Sequence, residues 1–353
     1  MQKVRAVINV NSIQNNAKTF KRQTKKPLYA VVKSNAYGHG AEVVTASLAH
    51  IVDGFAVALI SEGLAIRTAA CGKEILVFTP PITDEELYAL AINGFTATIP
   101  DLWTAKRAQA VCAKWQLPLR VHLKVNTGMN RYGMNNSMLG KVCKLLHGDK
   151  FVRVEGVYSH LYTCAKEVAN GQRDLFFRAE RIVKKHYPQA KAHLSATYGC
   201  LLGEDFSFDA ARVGIGLYGY LPAGLGDREK AIADGLGLQK AMAVYAVAVA
   251  VRRASYGGAG YGNPCITKRE YLSVVRAGYA DGFLRQKPNG LLGEKARSQA
   301  LCMDAYITSE RLARGKEVLL LSDAEKIAAA TNTICYEVLC AATRRAEFEY
   351  VYE

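Results

Sequence analysis

Short apolar runs alternate with longer amphipathic segments over the first two-thirds of the chain. The apolar runs predict eight strands, at residues 28–33, 54–60, 74–80, 94–100, 119–125, 152–160, 190–196 and 210–219. Between them, the amphipathic segments predict helices, for which Ser61, Asp84 and Asp101 are candidate N-caps. Strands that alternate with helices favour parallel pairing through right-handed crossovers. At this chain length, eight of them favour a closed (β/α)8 TIM-type barrel over its alternative, an open doubly wound sheet.

The pattern changes after about residue 230. Apolar alternation continues, as in the valine-rich and alanine-rich run at 241–251, but helical periodicity becomes scarce and turn-forming residues become frequent. We therefore predict a barrel domain at 1–230 and a mostly β C-terminal domain at 231–353, which is close to a common domain size. The first ten or so residues are candidates for pairing with that second domain.

The composition is that of an ordinary globular protein, since half of the 353 residues are hydrophobic and 22% are charged. No apolar run approaches the roughly 18–20 residues of a membrane helix, and the N-terminus lacks the long apolar core of a signal peptide. We expect a cytoplasmic protein without membrane contact. The net charge of +15 is spread over short basic groups without interleaved aromatic residues. It favours attraction to anionic small molecules, phosphates included, and not nucleic-acid binding.

The cysteines and histidines do not follow a metal-binding or disulfide pattern. Nine cysteines are scattered without a CxxC pair, and no HExxH motif occurs among the seven histidines. An odd number of cysteines, several of them within apolar segments, is typical of reduced thiols in an intracellular enzyme. No metal site is therefore predicted.

Reactive side chains in a (β/α)8 barrel gather at the carboxyl ends of the strands. In the predicted strand order, those ends bring Lys33, Arg131, His160, Thr197 and Arg212 to one mouth. Each residue alone has a structural explanation, such as a surface lysine, a hydrogen-bonded core histidine or an arginine in an ion pair. Together they suit an anionic, phosphorylated, carbonyl-bearing ligand: the lysine for a Schiff base, the arginines for charge, and the hydroxyl for phosphate.

The segment "AVVKSNAYGHG" closely resembles the cofactor-binding signature of the alanine racemase family. Further family segments follow in order along essentially the whole chain: "GFAVALISEGLAIR", "HLKVNTGMNRYGM", "VEGVYSHL", "ARVGIGLYG", "SYGG", "AGYADGFLR", "LCMD" and "CYEVLC". The resemblance implies a barrel followed by a β domain, pyridoxal 5'-phosphate as cofactor, a homodimer with shared active sites, and racemisation of L-alanine to D-alanine for the bacterial cell wall.

The resemblance also implies roles for individual residues. Lys33 matches the lysine that holds the cofactor as a Schiff base and exchanges the α-proton on the D side. Tyr256 matches the opposing base for the L side, which in this family reaches the other subunit's cofactor. Arg131 matches the arginine bonded to the cofactor's phenolic oxygen and to the substrate carboxylate. Arg212 matches the arginine that faces the pyridine nitrogen, and His160 a histidine that links this arginine to the tyrosine base.

Other positions are implied to surround the cofactor. The phosphate contacts correspond to Tyr37, Thr197 and the backbone amides of Gly214 and Ile215. Tyr279 and Met303 correspond to residues that shape the substrate entrance of the partner subunit. Lys124 falls where some relatives carry a carbamylated lysine beside the arginine at 131.

Racemisation requires removal of a proton on one face of the substrate and its return on the other, so two bases must oppose each other. The cofactor acidifies the α-proton because it delocalises the carbanion. Lysine and tyrosine side chains have pKa values near 10 in model peptides and must be lowered to act as bases at neutral pH. Neighbouring cations such as Arg131 and Arg212 favour the phenolate and the neutral amine.

Three features depart from the family pattern and bear on the substrate. The segment "HLSATYG" at 193–199 is similar to the serine racemase domains of vancomycin resistance proteins. Arg344 occupies a variable position near the substrate, often tyrosine in alanine racemases and asparagine in some serine-forming relatives. Asn126 replaces an aspartate that many relatives have. A serine or broad-specificity racemase is thus the first alternative, and a non-catalytic cofactor-binding barrel protein and a decarboxylase of the same fold are others.

Overall fold

The computed structural model describes residues 4–261, 266, 268–285 and 301–353. The chain divides into two compact units. The barrel unit comprises Gln14–Ala36 and Ala41–Leu238, and the β unit comprises Met1–Ile13, Tyr37–Gly40 and Gln239–Glu353. The β unit therefore includes the beginning of the chain and a four-residue segment that follows the first barrel strand.

Eight parallel strands form the sheet of the barrel unit. They are β2 (Leu28–Val31), β3 (Gly54–Val57), β4 (Glu74–Val77), β5 (Thr96–Ile99), β6 (Leu119–Lys124), β7 (Val152–Tyr158), β8 (Lys191–His193) and β9 (Ala211–Val213). Each pairs with its neighbour in sequence from β2 to β8, and β9 pairs with β2, where Tyr29 lies opposite Arg212. Consecutive parallel neighbours are what right-handed β/α crossovers produce.

Hydrogen bonds between the segments around β8 and β9 close the ring. The Asp209 amide donates to the Ala192 carbonyl at 2.8 Å, and the Arg212 amide donates to the Ser195 carbonyl at 2.9 Å. The Ala192 amide in turn donates to the Asp209 carboxylate at 2.9 Å. The sheet is therefore a barrel of TIM type, and the open doubly wound alternative is excluded.

The right-handed helices of the barrel unit lie between its strands, as the periodicity predicts, except for the last one, which follows β9. They are α3 (Ala41–Leu48), α4 (Ile60–Ile66), α5 (Asp84–Ile92), α6 (Leu102–Trp115), α7 (Asn136–Leu146), α8 (Lys166–His186), α9 (Thr197–Leu202) and α10 (Asp227–Gly235). They are preceded by α1 (Val10–Thr24), which begins in the β unit, and by α2 (Lys33–Gly38), a left-handed turn considered below.

Of the three predicted N-cap residues, one is confirmed and two are wrong. Asp101 is the N-cap of α6 and accepts a hydrogen bond from the Thr104 amide. Helix α5 starts at Asp84, but its cap is Thr83, which accepts from the Glu86 amide. Helix α4 starts at Ile60, so Ser61 lies within its first turn. A carboxylate one turn into α4 and α5 takes up free backbone N–H groups that precede the helix, and this shifts the boundary.

In the described part of the β unit, six strands form one sheet: β1 (Arg5–Asn9), β10 (Met242–Ala254), β11 (Glu270–Val275), β12 (Tyr306–Thr308), β13 (Glu317–Leu321) and β14 (Glu347–Val351). Strand β1 runs antiparallel to β10 and parallel to β14. Among the residues of this unit that the structure describes, two α-helices accompany the sheet, α11 (Ala324–Thr331) and α12 (Cys335–Ala342). The first residues of the chain thus pair with strands formed from its last third.

The barrel strands are shorter than their apolar runs. The run at 210–219 forms strand only at β9, and Ile215–Tyr218 continue as a 3-10 helix. In this run the apolar residues beyond the strand, Ile215, Leu217 and Tyr218, remain buried. None of the helices in the described part of the chain is long and apolar enough to cross a membrane.

Candidate active site

The segment after β2 is a left-handed helical turn. Strand β2 ends at Val31, and Lys33 begins α2, so the lysine lies just beyond the strand end and not within the strand. Ser34, Asn35, Ala36 and Tyr37 all have φ of 53–54°. Left-handed backbone costs about 1–2 kcal/mol for each residue other than glycine. Four such residues in a row, directly after a lysine, are a strained element of the kind found at functional sites.

Hydrogen bonds from the barrel unit hold this turn. The Glu62 carboxylate accepts from the Ser34 amide through Oε1 at 2.7 Å. Its other oxygen accepts from the Ala58 and Leu59 amides, at the start of α4. The Asn35 side chain accepts from the Ala41 amide at 2.8 Å. Glu62 therefore joins the turn that carries Lys33 to the next β/α loop of the barrel, a role that the sequence motifs did not predict.

Two cations share one aromatic ring at the end of β6 and β7. The Lys124 Nζ lies 5.0 Å from the centre of the Tyr158 ring, and the Arg212 guanidinium lies 5.1 Å from it. Lys124 is buried and donates to the Val125 carbonyl at 3.0 Å. Burial, together with the charges of Arg212 and Arg131, lowers the pKa of Lys124 to about 7. The neutral form of the Lys124 amine is thus favoured relative to that of an exposed lysine.

His160 lies at the same mouth, beyond the end of β7. Burial, and after it the charges of Arg212, Lys124, Arg131 and Lys33, lower the pKa of His160 to about 3. Three cations of the predicted group, Lys33, Arg131 and Arg212, therefore lie close enough to His160 to act on its imidazole. A neutral His160 at physiological pH follows from this positive surrounding.

Arg131 lies in the loop between β6 and α7, which is shaped by Asn126. The Asn126 side chain accepts from the Gly128 and Asn130 amides and donates to the Asn130 side chain at 2.8 Å. An aspartate could accept the same two bonds but could not donate the third. Asn130 has φ of 57°, a conformation that asparagine tolerates. The replacement at 126 thus preserves the loop geometry and removes a negative charge near Arg131.

A cavity of about 600 Å³ adjoins Arg131 at the carboxyl ends of β4, β5 and β6. Its lining includes Thr79, Pro100, Trp103 and Tyr132. This volume is within the range of small-molecule sites. The exposed guanidinium of Arg131 is therefore available to an anionic group at the barrel mouth.

Thr197 and the Gly214–Ile215 segment meet at the end of β9. The Thr197 hydroxyl accepts from the Gly216 amide at 3.2 Å. A Cβ atom at Gly216 would lie 2.9 Å from the Thr197 methyl group and 2.6 Å from the Phe20 ring, so only glycine permits this approach. Ile215 opens the 3-10 helix, and its amide has no acceptor within that helix. A hydroxyl and a helix-terminal amide are donors that suit a phosphate group.

Arg212 is bound to a histidine other than the predicted one. Its Nη1 donates to His193 Nδ1 and to the His193 carbonyl, each at 2.6 Å, and its Nη2 donates to the Ser159 carbonyl at 2.6 Å. The expected link of His160 to Arg212 is not a direct hydrogen bond among the described residues. The apolar run that contains His193 was recognised as a strand, but the role of its histidine was missed.

In the β unit, the two predicted entrance residues lie side by side. The Tyr279 amide donates to the Cys302 carbonyl at 3.1 Å, and the Ala280 amide donates to the Met303 carbonyl at 2.8 Å. A Cβ atom at Gly278 would lie 2.4 Å from both carbonyl oxygens. The close approach of the two segments therefore depends on glycine at 278, and the Met303 side chain is left exposed.

The remaining predicted residues also lie in the β unit. Tyr256 follows β10 and is 86% exposed, which leaves its phenol available to another molecule. The Tyr37 ring packs against Tyr336 of α12 with 5.9 Å between centroids. Arg344 is exposed just beyond the end of α12. The predicted residues thus lie in both units, some in the barrel unit and the others in the β unit.

Comparison with known proteins assigns both parts of the chain. Residues 8–222 match the family model for the N-terminal domain of alanine racemase, and residues 241–350 match the model for its C-terminal domain. An alanine racemase of Lactobacillus delbrueckii subsp. bulgaricus is 31% identical over 366 residues, covering 94% of this chain and 93% of the relative.

Solved structures agree with this assignment. Alanine racemase of Clostridium difficile 630 has a TM-score of 0.90 at 28% identity, covering 99% of this chain and 96% of that one. An alanine racemase from Bartonella henselae, with covalently bound pyridoxal phosphate, has a TM-score of 0.85 at 26% identity, covering 99% of this chain and 100% of that one.

A TIM-type barrel with a lysine and two arginines at its mouth, followed by a mostly β unit, here defines an amino-acid isomerase. The chain belongs to the alanine racemase family.

Proposed function

We propose that this protein interconverts L-alanine and D-alanine with pyridoxal 5'-phosphate as cofactor, as a homodimer in the cytoplasm, and that the D-alanine serves the cell wall. The observation that carries the proposal is the position of Lys33, at the start of a strained turn beside Arg131, His160 and Arg212. The covalently bound pyridoxal phosphate in the Bartonella henselae relative supports the choice of cofactor.

The residues at the barrel mouth fit this cofactor. Arg212 is buried and positively charged, with three of its hydrogen bonds directed to carbonyl groups, which suits an unprotonated ring nitrogen as a further acceptor. The Thr197 hydroxyl and the Ile215 amide are donors suited to the phosphate, together with the Gly214 amide and the Tyr37 hydroxyl. Lys33 would supply the amine for covalent attachment. Gly216 leaves no space for a side chain at the proposed phosphate site.

The cofactor, when bound, would acidify the α-proton of an amino acid by delocalising negative charge. Lys33 would move this proton on the D side. Tyr256 of a second copy would move it on the L side, and its 86% exposure in the single chain is consistent with that role. Arg131 would hold the substrate carboxylate by charge-assisted hydrogen bonds. Neutral His160 can accept or donate a hydrogen bond without adding a charge to the group.

The partner's Tyr279 and Met303 would narrow the entrance to the site, and Arg344 would lie near the substrate. The close pairing of the Tyr279 and Met303 segments supports a common role for them. The segment at 193–199 favours serine as a second candidate substrate, with the same two bases, whereas an arginine at 344 matches neither the tyrosine of alanine racemases nor the asparagine of serine-forming relatives. The chemistry at the α-carbon is identical for both substrates, so the side-chain contacts decide between them.

The test is the absorbance and activity of the purified protein. We expect bound pyridoxal phosphate to give visible absorbance. Racemisation of L-alanine and of L-serine should be measured side by side. Lys33→Ala should abolish covalent attachment, measured as loss of the mass adduct after borohydride reduction. Lys26→Ala, at an exposed lysine before β2, is the matched control and should retain it. A wild-type protein that cannot be reconstituted with the cofactor would refute the proposal.

A further inference from the structure

Arg212 is a buried cation whose counter-charge is not adjacent to it. The residue is 3% exposed, and its guanidinium donates to three backbone carbonyls and to one imidazole. Among the described residues, no carboxylate lies within ion-pair distance of it. A buried charge without a counter-charge is strongly destabilising. Other groups must therefore compensate the positive charge of Arg212.

A series of side-chain contacts connects Arg212, through two histidines, to a carboxylate at the other end of the barrel. His193 Nε2 lies 2.9 Å from His122 Nδ1. His122 Nε2 in turn lies 3.3 Å from Glu74 Oε1, at the first residue of β4, which is within ion-pair distance but without hydrogen-bond geometry. We call these four residues, from Glu74 through His122 and His193 to Arg212, the barrel chain.

The position of every proton in the barrel chain is determined by its two ends. Arginine is only a donor, so His193 Nδ1 must accept, and the proton of its neutral ring is on Nε2. His193 Nε2–H then donates to His122 Nδ1, which places the His122 proton on Nε2. This N–H faces the Glu74 carboxylate, which is only an acceptor when ionised. If either histidine carried its proton on Nδ1 instead, two N–H donors would face each other.

The surrounding side chains prevent the rings from rotating. The His193 ring stacks on two tyrosine rings. Its centroid lies 5.7 Å from that of Tyr29, with 9° between the ring planes, and 5.2 Å from that of Tyr158, with 12° between the planes. The Tyr29 hydroxyl donates to Glu74 Oε2 at 2.6 Å. Gly156 makes room for His122, because a Cβ atom there would lie 2.6 Å from its ring.

The charge states of the barrel chain follow from burial and from its two ends. Burial lowers the pKa of His122 to about 4 despite the opposing effect of Glu74, and burial with the charge of Arg212 holds the pKa of His193 well below its usual value. Burial opposes ionisation of Glu74, but His122, Tyr29, Thr96 and Lys191 outweigh it and lower the pKa of the carboxyl group. Two neutral imidazoles thus lie between one anion and one cation.

We propose that Glu74, His122 and His193 are positioning residues for Arg212, with Glu74 as its remote counter-charge and as the group that sets both histidine tautomers. The inference rests on the proposed function in one respect, that Arg212 faces the cofactor's ring nitrogen. Its consequence is that a carboxylate at the amino-terminal end of the barrel orients the guanidinium at the carboxyl-terminal end.

The first experiment is independent of the cofactor. Long-range nitrogen-15 correlation spectra of the wild-type protein, assigned with His122→Gln and His193→Gln variants, report the tautomer of each ring. Both rings should be neutral with the proton on Nε2 at neutral pH. A wild-type His122 or His193 with its proton on Nδ1 would overturn the proposal, whether or not any variant folds.

The second experiment removes the charge of Glu74. Glu74→Gln keeps the volume but offers an amide that can donate as well as accept, so the spectra should show a new Nδ1–H population at His122 and His193. Glu155→Gln is the matched control, since Glu155 is a partly buried carboxylate whose pKa is influenced by Glu74 and Lys191. The control should leave both tautomers unchanged. Unchanged tautomers in Glu74→Gln would refute the role of the carboxylate.

The third experiment connects the barrel chain to the cofactor. Titration with pyridoxal 5'-phosphate should show an affinity roughly tenfold lower in Glu74→Gln, the size expected when one hydrogen bond to a charged group is weakened. The ring-nitrogen resonance of labelled cofactor should also shift, and Glu155→Gln should change neither. Altered tautomers with unaltered cofactor affinity and resonance would refute the positioning role. Failure of the wild type to bind the cofactor would refute the proposed function. The histidine tautomers would still test the proton arrangement of the barrel chain.

Discussion

The Glu62 carboxylate accepts the backbone N–H of Ser34 at 2.7 Å, one residue beyond Lys33. Its second oxygen accepts from the Ala58 amide at 2.7 Å, at the start of the neighbouring β/α loop. One side chain thus connects the strained turn of the candidate catalytic lysine to a rigid helix start. Strained backbone persists only where its surroundings determine it, and Glu62 supplies a charged hydrogen bond for that purpose.

Glu62→Gln should weaken the turn, because a glutamine has one acceptor oxygen where the carboxylate uses two. We expect a loss of about 1–2 kcal/mol in the free energy of unfolding, measured by urea denaturation, together with weaker binding of pyridoxal phosphate. Glu86→Gln is the control, since Glu86 accepts from the Ile82 and Thr83 amides but only at the start of its own helix. Equal loss of cofactor affinity in both variants would contradict the proposed role of Glu62.

Subunit mixing tests whether Lys33 and Tyr256 act in one site from two copies. Lys33→Ala and Tyr256→Phe homodimers should each be inactive. Random exchange of subunits would make half of the dimers mixed, each with one intact site of two, so about a quarter of the wild-type activity should return. Exchange is verified with differently tagged subunits. Verified mixed dimers without activity would show that both bases come from the same chain.

Isotope exchange tells which base serves which face. Tyr256→Phe should bind pyridoxal phosphate covalently, since Lys33 is retained, but should lose exchange of the α-proton from L-alanine in deuterated water. Steady-state rates cannot make this distinction because the two enantiomers have equal free energy, so both directions slow equally. Retention of exchange from L-alanine, measured by mass spectrometry, would contradict the assignment of Tyr256.

Much of the barrel could be predicted because buried parallel strands appear as apolar runs, and the runs at 28–33 and 152–160 both contain strands. The left-handed turn at Ser34–Tyr37 could not be predicted from residue preferences, since alanine and tyrosine disfavour that conformation. The family signature predicts functional roles for Lys33 and Arg212. It did not identify Glu62 or Glu74, because their contacts join residues far apart in sequence and become visible only when the barrel closes.

Gly278→Ala should disturb the pairing of the Tyr279 and Met303 segments. The added Cβ would come within 2.4 Å of the Cys302 and Met303 carbonyl oxygens, and backbone atoms cannot move aside cheaply. We expect a loss of about 1–3 kcal/mol, typical of overpacking, measured by thermal denaturation. The control is Gly235→Ala, where the Cβ meets nothing within 4 Å at the end of α10. Equal stability of the two variants would refute the steric argument.

Lys124 is placed to form a carbamate. Its pKa of about 7 makes the amine neutral above that pH, and a neutral amine adds to carbon dioxide with release of a proton. The resulting anion would lie between Arg212 and Arg131, the two cations that lower the lysine pKa. With carbon-13 bicarbonate we expect a carbamate resonance that increases as pH rises through about 7 and is absent in Lys124→Met. The same spectrum from wild type and Lys124→Met would rule out this modification.

Arg344 is the position at which we expect substrate preference to be decided. The residue is exposed beyond α12, the helix whose Tyr336 packs against Tyr37. Arg344→Tyr should raise the ratio of kcat/KM for L-alanine over L-serine, because an aromatic ring excludes water and leaves the serine hydroxyl without a partner. Arg344→Asn should lower that ratio, because the amide can bond the hydroxyl. A change of up to about tenfold corresponds to one hydrogen bond.

The control for both variants is Arg314→Asn, which removes a positive charge from another exposed position of the β unit. A general effect of charge on substrate attraction would change kcat/KM for alanine and serine in the same proportion, since both substrates are zwitterions. A local effect changes their ratio. If Arg344→Tyr and Arg344→Asn leave the alanine-to-serine ratio where Arg314→Asn leaves it, the side chain at 344 does not contact the substrate and preference must be set elsewhere at the entrance.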